Sequence, residues 1–195
     1  MIIIERGNNM QISLQHNEKI YTGKVGFGFL KTANEKYKTT NKTEIGKNED
    51  GTPKTVTEDV PGFDSIYEGL LNFEHSALVA FWDCALSMCP NRPTIEAIEQ
   101  ALEDQMLDED SVNRAFSEAF KGLDNSGFFS KAVRMYWKKS EAIKSMKSED
   151  LPEDMKEMRT VLPQMVKFYE EREKRRLELN PEAANNKNAA KKGKK

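Results

Sequence analysis

His75-Ser-Ala-Leu-Val-Ala-Phe-Trp-Asp-Cys-Ala-Leu-Ser-Met88 is the stretch that decides the fold. It reads as a helix that is apolar on most faces: Leu78, Val79, Phe81, Trp82 and Leu86 leave little room for a solvent side. A helix of that kind belongs at the centre of a core. It is too short to span a bilayer, and it contains Asp83. Cys89-Pro-Asn-Arg-Pro93 ends it. The two cysteines of the chain, Cys84 and Cys89, would sit about 140° apart around such a helix. A disulfide between them is not expected. They read as small hydrophobes in a reducing setting.

Upstream, Phe63, Ile66, Tyr67, Leu70 and Leu71 recur at three and four, so a short helix follows Pro61-Gly62. Thr39 to Val60 has many Thr, Asn and charged residues and few apolar ones. It reads as a long exposed loop, 39–61. Gly26 to Lys38 reads as a helix with Phe29, Ala33 and Tyr37 on one stripe. Ile12, Leu14 and Ile20 alternate with polar residues on either side of Gln15-His-Asn-Glu18, giving a hairpin at roughly 10–15 and 19–25. Residues 1–9 leave two readings open. Glu5-Arg-Gly-Asn-Asn-Met10 can be encoded by a purine-rich ribosome-binding stretch, making them a non-native extension before a start at Met10, or they form an ordinary first strand. Met1-Ile-Ile-Ile followed by Glu5 has no basic n-region and no long apolar region, so no signal peptide is expected.

Downstream, Thr94 is a good N-cap, with Glu96 and Glu99 in the early turns and Ile95, Ile98, Ala101, Leu102 and Met106 as the stripe. Asp110 or Ser111 caps the next helix, which carries Val112, Ala115, Phe116, Ala119 and Phe120 and closes at Gly122. Phe128 to about Lys147 reads as a basic amphipathic helix with Phe129, Val133, Tyr136, Trp137 and Ile143 on one side. After an acidic break, Met155, Met158, Leu162, Met165 and Tyr169 repeat as a coiled-coil seam would, with Pro163 expected to kink or split the helix. Asn180 to Lys195 has no apolar residue larger than Ala and reads as a disordered basic tail.

The fold class is therefore α+β and mainly α-helical, an N-terminal β-hairpin followed by six or seven helices. Its parts are a helical domain at 10–147, a helical extension at 148–179 and the tail at 180–195.

The charges are segregated. The chain has 195 residues, 30 Lys+Arg and 32 Asp+Glu, a formal charge of −2. That near-neutral total excludes a simple nucleic-acid-coating protein. Residues 93–124 hold nine acids and two bases, whereas 125–147 hold six bases and one acid. These segments could pair within one subunit or between copies of a homo-oligomer. A nucleic-acid-binding regulator is the alternative that the basic helix suggests. Tyr136 and Trp137 lie near the stripe that a core would take, which weighs against it.

No catalytic constellation can be assembled. His16 and His75 are the two histidines, and no motif places a nucleophile or second base beside His75, which reads as a cap or surface residue. His75, Cys84 and Cys89 do not match zinc spacing. Gly26-Phe-Gly-Phe29 lacks a following Gly-Lys-Ser/Thr, so it is not a phosphate loop. Glu103, Asp104, Asp108, Glu109 and Asp110 fit no EF-hand spacing and read as a solvated helix end. No enzyme, metal or cofactor is expected. Nine Met is a high share, and Met is over-used on surfaces that accept varied apolar partners. Met155, Met158, Leu162, Met165 and Phe168 are the candidate partner-binding residues, with core filling the commoner explanation for such a stripe.

The layout resembles a known family. Lys24-Val-Gly-Phe-Gly-Phe-Leu-Lys31 follows a hairpin, then come Gly69-Leu-Leu-Asn-Phe-Glu-His-Ser-Ala-Leu-Val-Ala-Phe-Trp82, Pro93-Thr-Ile-Glu-Ala-Ile-Glu99, an acidic helix and Phe120 to Lys139. Together they look like the tail assembly chaperones of long-tailed bacteriophages and prophages of Gram-positive bacteria, over about residues 10–147. The resemblance implies a non-enzymatic factor in the host cytoplasm, absent from the mature virion. It implies binding to the helical tape-measure protein, which is kept soluble while tail-tube subunits polymerise around it, with the major tail tube protein as a further partner. It also implies a longer frameshifted product, which the codons of Lys191-Lys-Gly-Lys-Lys195 would suit. The loop 39–61 and the extension after 147 depart from the family pattern.

Overall fold

The structure is a computed structural model, and it describes residues 3–5, 11–47, 51–151 and 156–184. The chain divides into two compact units, Met1–Ala119 and Phe120–Lys195. Met10, Met155 and the Lys-rich end at 191–195 lie outside the described residues.

In the first unit, β1 (Ile3–Glu5), β2 (Gln11–His16) and β3 (Lys19–Lys24) form an antiparallel sheet in the order β1-β2-β3. The hairpin register pairs His16 with Lys19, leaving Asn17 and Glu18 as a two-residue turn. Both have positive φ, 47° and 62°, as a type I′ turn requires. Ile12 and Leu14 are buried, which is the alternation read from the sequence. Helix α1 (Phe27–Lys36) follows, then β4 (Thr39–Lys47) and β5 (Pro53–Val60), then α2 (Gly62–Leu71), α3 (His75–Ala85) and α4 (Ile95–Glu103). Helix α5 (Glu109–Asp124) contains the division between the units.

Helix α3 is the core element that its composition demands. It packs against α1, α2 and α4 and touches β3. Leu78, Phe81 and Cys84 are fully buried, and Trp82 is nearly so. Phe81 meets Phe29 of α1 and Trp82 in edge-on or tilted ring contacts. The α1–α2 crossing is unusually close. A Cβ placed on Gly62 would lie 1.9 Å from the carbonyl oxygen of Ala33, so only glycine fits there. Helix α2 ends in a Schellman motif: the Glu74 N–H reaches the Gly69 carbonyl at 2.9 Å and the Phe73 N–H reaches Leu70 at 3.2 Å. Phe73 takes the left-handed position that glycine usually fills. Its ring packs on Phe116, with His75 edge-on to the same ring.

Thr94 caps α4 as expected, accepting from the Ala97 N–H at 3.2 Å. The cap of α5 is Asp108, not Asp110 or Ser111. Its carboxylate accepts from the Ser111 N–H at 2.8 Å and from the Ser111 hydroxyl at 2.7 Å. Those bonds hold the Asp108 carboxyl below the usual carboxylate range. Gly122 does not close α5, which runs on to Asp124.

Thr39–Val60 is a correction. It is not a loop but an antiparallel ribbon, β4 on β5, with a register irregularity at Glu44 and Gly46. Thr is β-branched and favours strand, and Gly51 has φ 81°, as a tight reversal needs. The side chains from Thr52 to Asp59 are all exposed, so no apolar alternation marked this half of the ribbon. At the base of the ribbon Lys38 donates to Asp59 at 2.5 Å.

The second unit holds the end of α5, then α6 (Ser130–Ser145), a 3-10 turn (Ser148–Asp150) and α7 (Lys156–Leu179). Helix α7 packs on α6 and on the 3-10 turn. Of the kink or split expected at Pro163, a split is absent: α7 continues through it. Proline removes only one donor from the ladder of this 24-residue helix. Nor does order stop at residue 180. Asn180 is fully buried and Ala183 is 1% exposed, because Asn180 is held by polar partners. Among the described residues there are seven α-helices, so the fold is α+β and mainly helical with an N-terminal hairpin, as the sequence indicated.

Candidate partner-binding surfaces

Asp83 is the one charge in the apolar helix, and it is 1% exposed. Lys36 and Tyr37, at the end of α1, donate to its Oδ2 at 3.0 Å each. Arg92, in the loop after α3, donates to Oδ1 and also to the Asp83 carbonyl, the latter at 3.0 Å. Burial by itself would raise this carboxyl. The donors from Lys36, Tyr37 and Arg92 outweigh it and hold the group below the usual carboxylate range. Burial and the Asp83 charge in turn push the Tyr37 phenol up. The same two causes push the Cys84 thiol up to about 12. Asp83 thus clasps α1, α3 and the loop at 92 together. Its signal in the sequence was a lone acid inside an otherwise apolar run.

Tyr37 also borders an open groove of about 530 Å³ between α3 and α4. Val79, Ile95, Leu102 and Met106 supply its apolar lining, and His75, Ser76, Glu99 and Glu103 its polar edge. Ile95 is 37% exposed, so apolar surface is open to solvent there. Spacing explains the arrangement. Ile95 and Leu102 fall along one side of α4, with Met106 just past its end, while Glu99 and Glu103, four apart, share a row beside it. An apolar floor with an acidic lip suits an amphipathic helix that carries basic flanks. The stripe of α4 was legible in the sequence; that part of it remains uncovered was not.

The second unit presents a different surface. Of the residues singled out from the sequence, Met158 lies within α7, Leu162 is buried at 2%, Met165 is half-buried and Phe168 is 49% exposed. Val161, one place before Leu162, is also exposed. Phe168 carries the Arg172 guanidinium 4.9 Å above its ring, and Arg172 also faces the Tyr136 ring at 5.7 Å. Arg176 lies 4.7 Å from the centre of the Trp137 ring. Lys144 pairs with Glu173. Basic residues of α6 and α7 are therefore engaged with aromatic and acidic side chains of their own unit.

Among the described residues, no group of three or more His, Cys, Asp or Glu is placed to hold a metal ion. Glu103, Asp104, Asp108, Glu109 and Asp110 form no such group. Cys84 and Cys89 are free thiols, Cys84 buried and Cys89 half-buried. No described helix is long and apolar enough to cross a membrane.

No curated protein and no solved structure matches the chain. A family model does: the one described as phage tail assembly chaperone protein, TAC, matches residues 13–137. The match runs from within β2 to the middle of α6, and so takes in both the Asp83 clasp and the groove, while α7 lies outside it. It spans well over half of the sequence, and the chain belongs to the phage tail assembly chaperone family.

Proposed function

We propose that this chain binds the tape-measure protein, keeps it soluble and promotes polymerisation of the tail tube around it. It acts in the host cytoplasm without catalysis and is absent from the finished virion. The observation that carries this reading is the family match over residues 13–137. The groove supports it, because it lies within the matched segment and has the chemistry for an amphipathic helix. A long, partly apolar helix would self-associate if bare, and an apolar groove covers such a face without forming any covalent bond. The exposed Phe168, half-buried Met165 and buried Leu162 of α7 form a second candidate contact, with Met155 and Met158 upstream. The major tail tube protein is the further partner, and copies of the chain associate with one another.

Co-expression with the large, coiled-coil-rich product of the neighbouring gene tests this. The expected result is soluble, co-purifying partner with the wild-type chain. Met106→Glu should cut recovery about tenfold, as for a hot-spot position. Phe168→Asp tests the α7 contact separately. If the partner stays insoluble and does not co-purify, the reading is wrong. We also propose that the chain is the short member of a frameshifted pair. A slippery heptamer across codons 187–195 is the expected finding, and its absence would remove that part.

A further inference from the structure

None of the described side chains of the β4–β5 ribbon is fully buried. A two-stranded hairpin is marginal in water without a buried face. Here the described side chains from Thr52 to Asp59 are exposed, Val56 among them at 47%. The sheet has two strands only, so one edge of β5 has no strand beside it among the described residues. An unpaired strand edge is a template for another strand. The two edges differ. β4 carries the register irregularity at Glu44 and Gly46, which spoils an edge. β5 has its proline at the first position, Pro53, where it interrupts nothing.

The sequence of β5, Pro53-Lys-Thr-Val-Thr-Glu-Asp-Val60, is complementary to itself when reversed about Val56. In that register Lys54 faces Glu58 of the second strand, Thr55 faces Thr57, Val56 faces Val56, and the pairs repeat on the other side of the axis. Opposite charges and Thr–Thr pairs directly across an antiparallel ladder are favourable. Moving the axis by one residue, to Thr55 or Thr57, loses both Lys–Glu pairs. Parallel in-register stacking would set Lys54 on Lys54 and Glu58 on Glu58, which is repulsive. The same charges therefore admit one register and oppose indiscriminate stacking. Asp59 is already engaged by Lys38 and is not needed.

We propose that β5 is a self-association strand, pairing antiparallel with β5 of a second copy about a two-fold axis through Val56. The two ribbons then form one four-stranded sheet in the order β4-β5-β5-β4. This rests on the reading that copies of the chain associate, and it names the surface. A strand edge is smaller than a standard interface, so association depends on concentration.

Sedimentation of the full-length chain, up to hundreds of micromolar and at low salt, tests it. Wild type should self-associate. Lys54→Glu and Glu58→Lys should each weaken association about tenfold, since each sets like charges opposite at two symmetric places. The double variant K54E/E58K should restore it, with far-UV circular dichroism unchanged throughout. A chain that stays monomeric overturns both this proposal and the self-association reading, and leaves tape-measure binding untouched. Association that ignores both single reversals overturns the β5 register alone.

Discussion

Arg176 and Asp124, 52 residues apart in the second unit, meet as a two-pronged fork. Arg176 Nη2 lies 3.0 Å from Oδ1 and Nε donates to Oδ2 at 3.2 Å. Asn180 Nδ2 adds a bond to the same Oδ2 at 2.7 Å. The Asp124 side chain is 1% exposed and that of Arg176 12%. Such a pair ties the end of α5 to the last turn of α7. Planar two-point contact is a property of Arg that Lys cannot copy.

Arg176→Ala should therefore destabilise the second unit by about 3 kcal/mol, since it leaves a buried carboxylate without its cation. Arg176→Lys should recover only part of that. Hydrogen exchange at the amides of α6 and α7 reads the loss locally. A change in Arg176→Ala within about 0.5 kcal/mol, as at an ordinary surface position, would contradict the assignment.

Asp83 should behave likewise in the first unit, with a pH signature. Its carboxyl is held below 3.8, its ordinary value, in the folded chain. A depressed carboxyl contributes stability above the unfolded pKa and loses it as pH falls through the folded one. Asp83→Asn should cost about 2 kcal/mol at neutral pH, the partners Lys36 and Arg92 being part-exposed. The cost should shrink as pH falls from about 5 to 2. Urea unfolding of both proteins along that series measures it. Parallel curves at every pH would show that the clasp is not ionic.

Gly62→Ala should destabilise although alanine is the better helix former by about 1 kcal/mol. The added carbon meets a backbone carbonyl at 1.9 Å, and a carbonyl cannot swing aside as a side chain can. The expected loss is about 3 kcal/mol. Gly127→Ala, with nothing within 4 Å of the new carbon, is the control and should be nearly neutral. Thermal unfolding of the two variants separates steric conflict from helix propensity.

The two thiols should report on unfolding. Cys84 is fully buried with its pKa raised to about 12, and the thiolate is the reactive form. Cys89 is half-buried, its Sγ donating to the Pro90 carbonyl at 3.4 Å. A thiol reagent at pH 8 should label one site in the native chain and two in denaturant. Mass spectrometry of the peptides assigns the first to Cys89. Rapid native labelling at Cys84 would be inconsistent with its packing.

The elements that bury one face were legible in the sequence. Ile12 and Leu14 alternate because β2 has an inside and an outside. Helix α3 could be read because Leu78, Phe81 and Trp82 point inward on nearly every side, and Thr94 is a local cap whose partner sits three residues on. The ribbon 39–60 escaped because hydrophobic period is a record of burial, and the side chains of β5 up to Asp59 are exposed on both faces. Thr content and Gly51 were the signal available there. The partners of Asp83 at 36, 37 and 92, and of Asp124 at 176 and 180, were out of reach for another reason. They are joined by folding, most of them over tens of residues, and spacing along the chain carries no trace of that. Residues 180–184 were read as disordered because Asn180 is fixed by hydrogen bonds and not by apolar bulk.

The contact of Gly62 with the Ala33 carbonyl constrains how this sequence can drift. Elsewhere on the α1–α2 seam, a larger side chain can be offset by a smaller one opposite. At 62 the opposing atom belongs to the main chain, so no second substitution makes room. A relative with any side chain at the aligned position must hold these two helices farther apart, and must fill the space between them with other atoms. That one position is therefore a marker of inter-helix distance that can be read in any homologous gene.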